Sequence, residues 1–179
     1  MSAHEQKSSR FVSEEGQGDA YWFGSAAQAN LAIIRARGGD SGVTVTEIVA
    51  PVGTLQPLHI HETHDDNFLV LEGRITMYCG GEVFAVAPGT YVSLPKGVPH
   101  SWRVDEGPAR VLGFYDTEDF VHFIEEVCEP ATSRNFGDAT GLDEQRAAAA
   151  AARFGMKLLG PPPGELLAGV AGDRATPHE

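Results

Sequence analysis

The strongest constraint on the fold is a run of short, strand-like segments between residues 21 and 115. The segments are rich in Val, Ile, Phe or Thr, and they are separated by Gly, Pro or Asp-Gly clusters. The residues GDSG separate the segments 29–38 and 43–51, and Gly80-Gly81 has the form of a two-residue hairpin loop. Many short antiparallel strands at this spacing predict an all-β fold, either a sandwich or a barrel.

The pattern changes to that of α-helices in the last third of the chain. In residues 116–130, apolar side chains recur at helical spacing and predict a first helix. A second helix is predicted in residues 140–155, where Thr140 with Asp143 resembles a capping box. Gly155 can end this helix in a left-handed conformation.

These patterns predict a single domain with flanking segments. The chain has 179 residues, 42% of them hydrophobic, which is enough to bury one sizeable core. We predict four parts, namely a disordered lead (1–20), an all-β barrel (21–115), helices that pack on the barrel (116–163) and a tail without a regular element (164–179).

Composition argues against several classes of partner. The formal net charge of -12 repels phosphate backbones and anionic lipid, so we expect neither nucleic acid nor a membrane as partner. The first 20 residues lack the apolar stretch of a secretory signal. Cys79 and Cys128 are far apart and are expected to be reduced, buried thiols. These features predict a cytoplasmic protein.

The stretch HIHETHDD, residues 59–66, concentrates histidines and carboxylates in eight positions. His59 and His61 are two residues apart, so both side chains leave the same face if they lie on a β-strand. Two imidazoles on one face can start a metal site. A His-x-His pair alone, however, is more often two surface or hydrogen-bonded histidines, so the surrounding spacing has to decide.

Two spaced motifs around this stretch resemble those of the cupin superfamily. The first family motif, G-x5-H-x-H-x3/4-E-x6-G, is matched by Gly53, His59, His61, Asp66 and Gly73. The second, G-x5-P-x-G-x2-H-x3-N, is matched by Gly89, Pro95, Gly97 and His100, with Val104 in place of Asn. The resemblance implies a single-domain cupin, which is a double-stranded β-helix or jelly-roll barrel, here with a short helical C-terminal extension.

The resemblance also implies a metal site. Its ligands would be His59, His61, Asp66 and His100, all pointing into the barrel. Three imidazoles and one carboxylate suit one divalent ion among Ni, Co, Fe, Mn, Cu and Zn, and the sequence does not name the ion. Pro95 and Gly97 fit a tight reversal that sends His100 back along a neighbouring strand.

The carboxylate is the open position in this ligand set. Asp65 competes with Asp66, and the spacing to Gly73 favours Asp66. Asp is one methylene shorter than the usual Glu, so Asp66 either binds the metal or acts only as a base nearby. We expect the remaining polar residues of the stretch to lie in a connection, with Glu62 and His64 facing solvent: Glu62, Thr63, His64 and Asp65.

The helical segment after the barrel resembles the C-terminal part of quercetinase-like cupins. This implies a metal-dependent dioxygenase that acts on a flavonol-like or other enolisable aromatic small molecule. By this resemblance the substrate hydroxyl would bind the metal and Asp66 would take its proton. The resulting enolate would react with dioxygen, which opens the ring and releases carbon monoxide. Two alternatives stay open. One is a non-oxidative cyclase, isomerase or hydrolase for a polyketide-like substrate, and the other is a small-molecule-binding cupin without catalysis.

Large apolar residues of the barrel are candidates for the wall of the substrate pocket. They are Phe68, Met77, Trp102 and Phe114. Ordinary core packing is the alternative role for each of them. The resemblance further implies a homodimer.

Overall fold

The computed structural model describes residues 13–24, 28–39, 42–139 and 141–168. Ten strands lie in these ranges: β1 (Asp19–Phe23), β2 (Asn30–Ala36), β3 (Thr44–Ala50), β4 (Leu58–His61), β5 (Asp66–Cys79), β6 (Glu82–Val86), β7 (Tyr91–Leu94), β8 (His100–Tyr115), β9 (Glu129–Pro130) and β10 (Met156–Gly160). The helices are α1 (Asp119–Val127), α2 (Glu144–Ala151) and α3 (Gly164–Ala168), with 3₁₀ turns at Phe136–Asp138 and Ala152–Phe154.

Strand β8 organises the sheet. It pairs with β3, β4 and β5, and every recorded strand pair is antiparallel. One path of neighbours runs β10-β4-β8-β3-β2-β1-β9, while β5 also pairs with β6 and β7. The predicted all-β fold with a short helical C-terminal segment is therefore confirmed.

The glycine-rich turns lie where the sequence predicts them. Gly80 and Gly81 connect β5 to β6, and Cys79 faces Glu82 across the hairpin. Strands β2 and β3 pair on either side of the GDSG turn, of which residues 40 and 41 lie outside the described ranges. Turn chemistry thus sets the register of the β5–β6 hairpin.

Three apolar clusters lie among the described residues, and two of them border the site. The first fills the barrel and includes Phe68, Val70, Met77 and Val104. The second lies between the sheet and the helices, and its buried members include Ala32, Phe123, Ile124, Ala147 and Ala150. The helices therefore extend the core of the barrel rather than forming a second domain.

The beginning of α2 differs from the prediction. Its N-cap is Asp143, whose carboxylate accepts hydrogen bonds from the backbone N–H groups of Gln145 and Arg146 at 3.0 Å each. Asp143 thus acts as the N-cap itself and not as the N3 residue of a capping box. Thr140 lies outside the described residues. Gly155 has the expected left-handed conformation, with φ 66°.

Two C-terminal elements were not predicted. Strand β10 pairs with β4, but of its residues only Met156 is buried, so its sequence carries no clear alternation. Helix α3 occupies the start of the predicted tail because Leu166 is fully buried. The predicted lead is described only from residue 13, and the rest of the tail, 169–179, lies outside the described ranges. Among the described helices, none has the length and apolar character needed to cross a membrane.

Candidate metal centre

Three strands bring the four predicted ligands to one place. His59 and His61 lie on β4, Asp66 is the first residue of β5, and His100 is the first residue of β8. All four are buried, and each offers a ligand atom within 4.8 Å of the others. His59 and His100 are direct partners across the β4–β8 pair, so strand pairing fixes part of the cluster.

The turn before β8 is tied directly to the ligand strand. The backbone N–H of Gly97 donates to the carbonyl of His61 at 2.7 Å, and Gly97 has φ 76°, a conformation that favours glycine. The N–H of Lys96 donates to the Asp65 carboxylate at 2.9 Å. The second motif is therefore held against the first by hydrogen bonds, and Asp65 has a role in this turn.

Asp66 reaches the histidines despite its short side chain. Its Oδ2 atom lies 3.5 Å from Nε2 of His61 and 3.5 Å from Nε2 of His100. These distances are at the limit of a hydrogen bond, but they match the roughly 3 to 4 Å between ligand atoms that share one ion at about 2.1 Å. The three imidazoles and the Asp66 carboxylate fit a first-row divalent ion. Asp65, the alternative carboxylate, is exposed and is not part of the cluster.

Two of the imidazoles have a fixed orientation. The Nδ1 atoms of His59 and His100 lie 2.9 Å from the carbonyl oxygens of Pro57 and Val98. A carbonyl only accepts, so each Nδ1 carries the proton and each Nε2 has a free lone pair. This is the arrangement that metal-binding histidines need.

The ionisation of the cluster also suits a cation. Burial lowers the pKa of His59 to about 4 and that of His61 to about 3. Burial alone would raise the pKa of Asp66, but the imidazoles of His100, His61 and His59 outweigh this and lower it. Near pH 7 the cluster therefore contains an ionised carboxylate beside neutral His59 and His61.

A cavity of about 740 Å³ opens beside the cluster, and His59, His61 and Asp66 lie on its wall. Most other wall residues are apolar. The strands supply Phe68, Met77 and Trp102, among others, and the segment after the barrel supplies Phe120, Phe123, Leu142, Ala147, Ala148, Ala151, Met156 and Leu158. The cluster thus adjoins a mostly apolar chamber, whose wall also includes the polar residues Gln28 and Gln56.

The structure does not place Phe114 on the cavity wall. Gly113 and Tyr115 line the cavity instead, so Phe114 lies on the other face of β8. The reason is an irregularity in the pairing of β8 with β5, between Val104 and Arg110 of β8. Beyond this point, the odd-numbered rather than the even-numbered residues of β8 point inward. Trp102 and Val104 precede the irregularity, and simple alternation from them leads to Phe114.

The prediction for His64 is wrong. It is buried, with 2% of its surface exposed, and its ring lies 4.6 Å from that of His61 between centroids. Glu62 is exposed as predicted, and Thr63 is exposed as well. Loop position alone suggested a solvent-facing His64, because no sequence signal showed that the turn folds inward.

Tyr115 is a site residue that sequence reasoning missed. It is buried on the cavity wall, and burial together with the nearby Asp66 carboxylate raises its pKa well above the usual value. Tyr115 is therefore a neutral phenol that can donate a hydrogen bond in the cavity. The sequence signal for it is the two-residue period of Val111, Gly113 and Tyr115 at the end of β8, all three of which line the cavity.

Comparisons with known proteins agree with this geometry. The model of the family described as "Cupin domain" matches residues 46–115. A quercetin 2,3-dioxygenase of Bacillus subtilis is 28% identical over 123 residues, which are 67% of this chain and 35% of that protein. The chain thus spans about a third of the length of this relative.

Solved structures share the fold. An RmlC-like cupin from Shewanella frigidimarina has a TM-score of 0.53 at 19% identity, covering 63% of this chain and 96% of that one. The polyketide cyclase RemF from Streptomyces resistomycificus has a TM-score of 0.51 at 20% identity, covering 60% and 79%. At these identities the likeness concerns the fold alone.

Proposed function

Because this chain is a cupin, with its cupin domain at residues 46–115, we propose that it is a metal-dependent dioxygenase of the quercetinase type. Its substrate would be a flavonol-like or other enolisable aromatic small molecule. The observation that carries the proposal is the buried cluster of three histidines and one carboxylate beside a large, mostly apolar cavity.

His59, His61, Asp66 and His100 would hold one divalent ion from the series Ni, Co, Fe, Mn, Cu and Zn. When bound, such an ion lowers the pKa of a coordinated hydroxyl and orients its carrier. Asp66 supports the proton transfer, because its lowered pKa keeps the carboxylate ionised near pH 7 and able to accept a proton from a substrate hydroxyl.

The cavity supports an aromatic substrate of moderate size. Its volume of about 740 Å³ falls within the range of about 300–1,000 Å³ that is usual for small-molecule sites. Phe68, Met77 and Trp102 on one side and Phe120 on the other offer apolar surface to flat rings. Tyr115 supplies a hydrogen-bond donor near Asp66, which can orient an oxygen of the substrate.

Similarity beyond the barrel supports the same proposal. The match to the Bacillus dioxygenase extends over 123 residues, whereas the cupin domain match covers only residues 46–115. The activity of the relative is transferred here as a proposal.

Oxygen consumption tests the proposal. Protein purified without chelator should contain about one transition ion per chain, and a panel of metal-loaded samples should take up dioxygen with at least one flavonol. Loss of flavonol absorbance should match oxygen uptake mole for mole. His59→Ala protein, which lacks one ligand, is the control. A loaded protein that consumes no dioxygen with any phenol would contradict the dioxygenase.

A second candidate is a non-oxidative cyclase, isomerase or hydrolase acting on a polyketide-like substrate. Asp66 favours it, because an ionised carboxylate beside a phenol, Tyr115, is a proton-transfer pair that needs no oxidant. Turnover under anaerobic conditions would identify this reaction. Tight ligand binding without turnover in any condition would indicate a cupin that only binds its ligand.

We further propose that the protein works in the cytoplasm as a homodimer. Free Cys79 and Cys128 support a reducing compartment, and burial raises the pKa of Cys128 to about 12, which makes that thiol unreactive. Light scattering coupled to gel filtration measures the oligomeric state, and a monomer at micromolar concentration would contradict the dimer.

A further inference from the structure

The cavity wall carries a pair of polar side chains outside the cluster of histidines with Asp66. Gln56 and Trp102 both lie on this wall, and each is half-buried. The two residues are neighbours, because the backbone N–H of Gln56 donates to the carbonyl of Trp102 at 3.0 Å. An amide and an indole therefore belong to adjacent positions of a wall that is otherwise mostly apolar.

Strand geometry fixes where this pair lies relative to the histidines. Trp102 is two residues beyond His100 on β8, and both precede the irregularity of that strand, so they share its inner face. Two residues of a strand extend over about 7 Å. The pair is therefore set apart from the cluster, at a distance that suits the second ring of a substrate whose first oxygen is at the cluster.

The backbone at Gln56 is held in place from two sides. The hydroxyl of Ser101, which is fully buried, donates to the carbonyl of Gln56 at 2.6 Å. The next carbonyl along the chain, that of Pro57, lies 2.9 Å from Nδ1 of His59. The strands that position the histidines thus also position Gln56.

The polar groups of both side chains are available to a ligand. No hydrogen bond joins the amide of Gln56 or the indole N–H of Trp102 to any residue that the structure describes, and neither group is among its fully enclosed unpaired polar atoms. By contrast, the amide of Gln28, which also lies on the wall, donates to the carbonyl of Gly53 at 3.4 Å. Gln56 and Trp102 can therefore direct their hydrogen-bonding groups to whatever fills the cavity.

Together these two groups select an uncharged hydroxyl. The indole N–H only donates, whereas the amide can also accept through its oxygen. A hydroxyl satisfies both, since its oxygen accepts from Trp102 while its proton is donated to Gln56. Among the described residues the wall has no Lys or Arg, and its one carboxylate is Asp66, so no side-chain cation on it would neutralise a phosphate, sulfate or carboxylate.

We propose that Gln56 and Trp102 form a subsite for a phenolic hydroxyl on a second ring of the substrate. One oxygen at the cluster and this second hydroxyl then hold the ring system at two points. The pair determines which ring substituents are accepted, and the chemistry stays with the cluster. The inference rests on the proposed flavonol-like substrate.

Calorimetric titration under anaerobic conditions tests the subsite without turnover. Metal-loaded protein would be titrated with flavonols that carry hydrogen, hydroxyl or methoxy at the same position of the pendant ring, either para or meta. For at least one position, the wild type should bind the hydroxyl compound roughly three to ten times more tightly than the other two, which is about the net value of one hydrogen bond. The methoxy compound loses this advantage because it has no proton to donate.

Gln56→Leu removes the hydrogen-bonding groups at similar side-chain size. The preference for hydroxyl should disappear, while affinity for the unsubstituted flavonol should stay within about twofold of the wild type. Trp102→Phe keeps an aromatic ring without the N–H and should reduce the preference as well. Gln145→Leu is the matched control, since Gln145 is exposed on α2 and does not line the cavity. It should keep the full preference.

Failure of the subsite can be told apart from failure of the proposed function. Wild-type protein that binds none of these flavonols overturns the flavonol-like substrate, and the subsite with it. Wild-type protein that binds all of them equally well overturns the subsite alone. A preference that persists in Gln56→Leu protein overturns it too, even if all affinities fall by the same factor. If Trp102→Phe does not fold, the comparison of Gln56→Leu with Gln145→Leu decides.

Discussion

The cluster of histidines with Asp66 and the apolar wall that the helices supply are built in different ways. Three of the four ligands start or end a strand, and their positions follow from strand pairing and from one turn. The apolar wall comes largely from α1 and α2, which are held by side-chain packing in the second apolar cluster. Backbone hydrogen bonds fix the first region, and shape complementarity fixes the second.

This difference separates chemistry from selectivity. The cluster has little freedom to change, because each ligand is tied to the register of a strand. The shape of the wall can change with each substituted side chain. Ala147, Ala148 and Ala151 contribute only methyl groups to it. Variants of the two regions should therefore affect different measured quantities.

The largest effect is expected for His61→Ala. This change removes a ligand, so metal affinity should fall at least about 100-fold and oxygen uptake should disappear. An apolar fluorescent ligand should still bind, because the wall is unchanged. Elemental analysis and ligand titration provide the two measurements. Loss of both would mean that cluster and wall are not separable.

Asp66→Asn should be the next most harmful change. The amide keeps the size of the side chain but loses the negative charge that faces His61 and His100. We expect metal affinity to fall roughly tenfold and turnover to vanish even at full metal occupancy, since the amide cannot accept a proton. Turnover by fully loaded Asp66→Asn protein would exclude Asp66 as the base.

A change in the wall should act on ligand binding alone. Ala148 lines the cavity and is otherwise exposed, so Ala148→Leu narrows the chamber without displacing the core. Affinity for a flavonol should fall roughly tenfold, with an unchanged metal content. The control is Ala149→Leu, which lies on the same helix but not on the wall. Equal effects of the two would contradict the assigned wall.

The smallest effect is a dependence of stability on pH. Burial lowers the pKa of His59 to about 4 and of His61 to about 3, from 6.5 when exposed. Between pH 6.5 and the lowered pKa of each histidine, the unfolded chain binds more protons than the folded one. The free energy of unfolding should therefore decrease as pH falls below about 6.5. Urea unfolding of metal-free protein measures this slope, which Ala148→Leu should keep and His61→Ala should reduce. A flat profile between pH 4 and 6.5 would contradict the buried neutral histidines.

The cluster could be predicted because its spacing reflects strand geometry. His59 and His61 share a face by the two-residue period, and the Gly97 turn returns the chain so that His100 stands beside them. Asp66 rather than Asp65 joins them in the structure. These positions depend on local rules that a sequence displays.

The wall and the inner loop could not be predicted, because they depend on contacts between distant residues. The irregularity in β8 exchanged Phe114 for Tyr115 on the inner face. His64 turns inward next to Tyr115, and its neighbour Thr63 is held by Asp119, 56 residues away. Strand β10 forms because the edge of β4 offers it a partner, and its own sequence shows little of this.

The pairing of β10 with β4 makes the C-terminal segment a protective cover for the ligand strand. Met156 stands opposite His61 and Leu158 opposite His59, so β4 has neighbours on both sides. A chain cut before Met156 would expose the N–H and C=O groups of β4 as an unpaired sheet edge. Such an edge recruits strands from other molecules. Proteolysis at this point would therefore turn the strand that carries His59 and His61 into a starting point for aggregation.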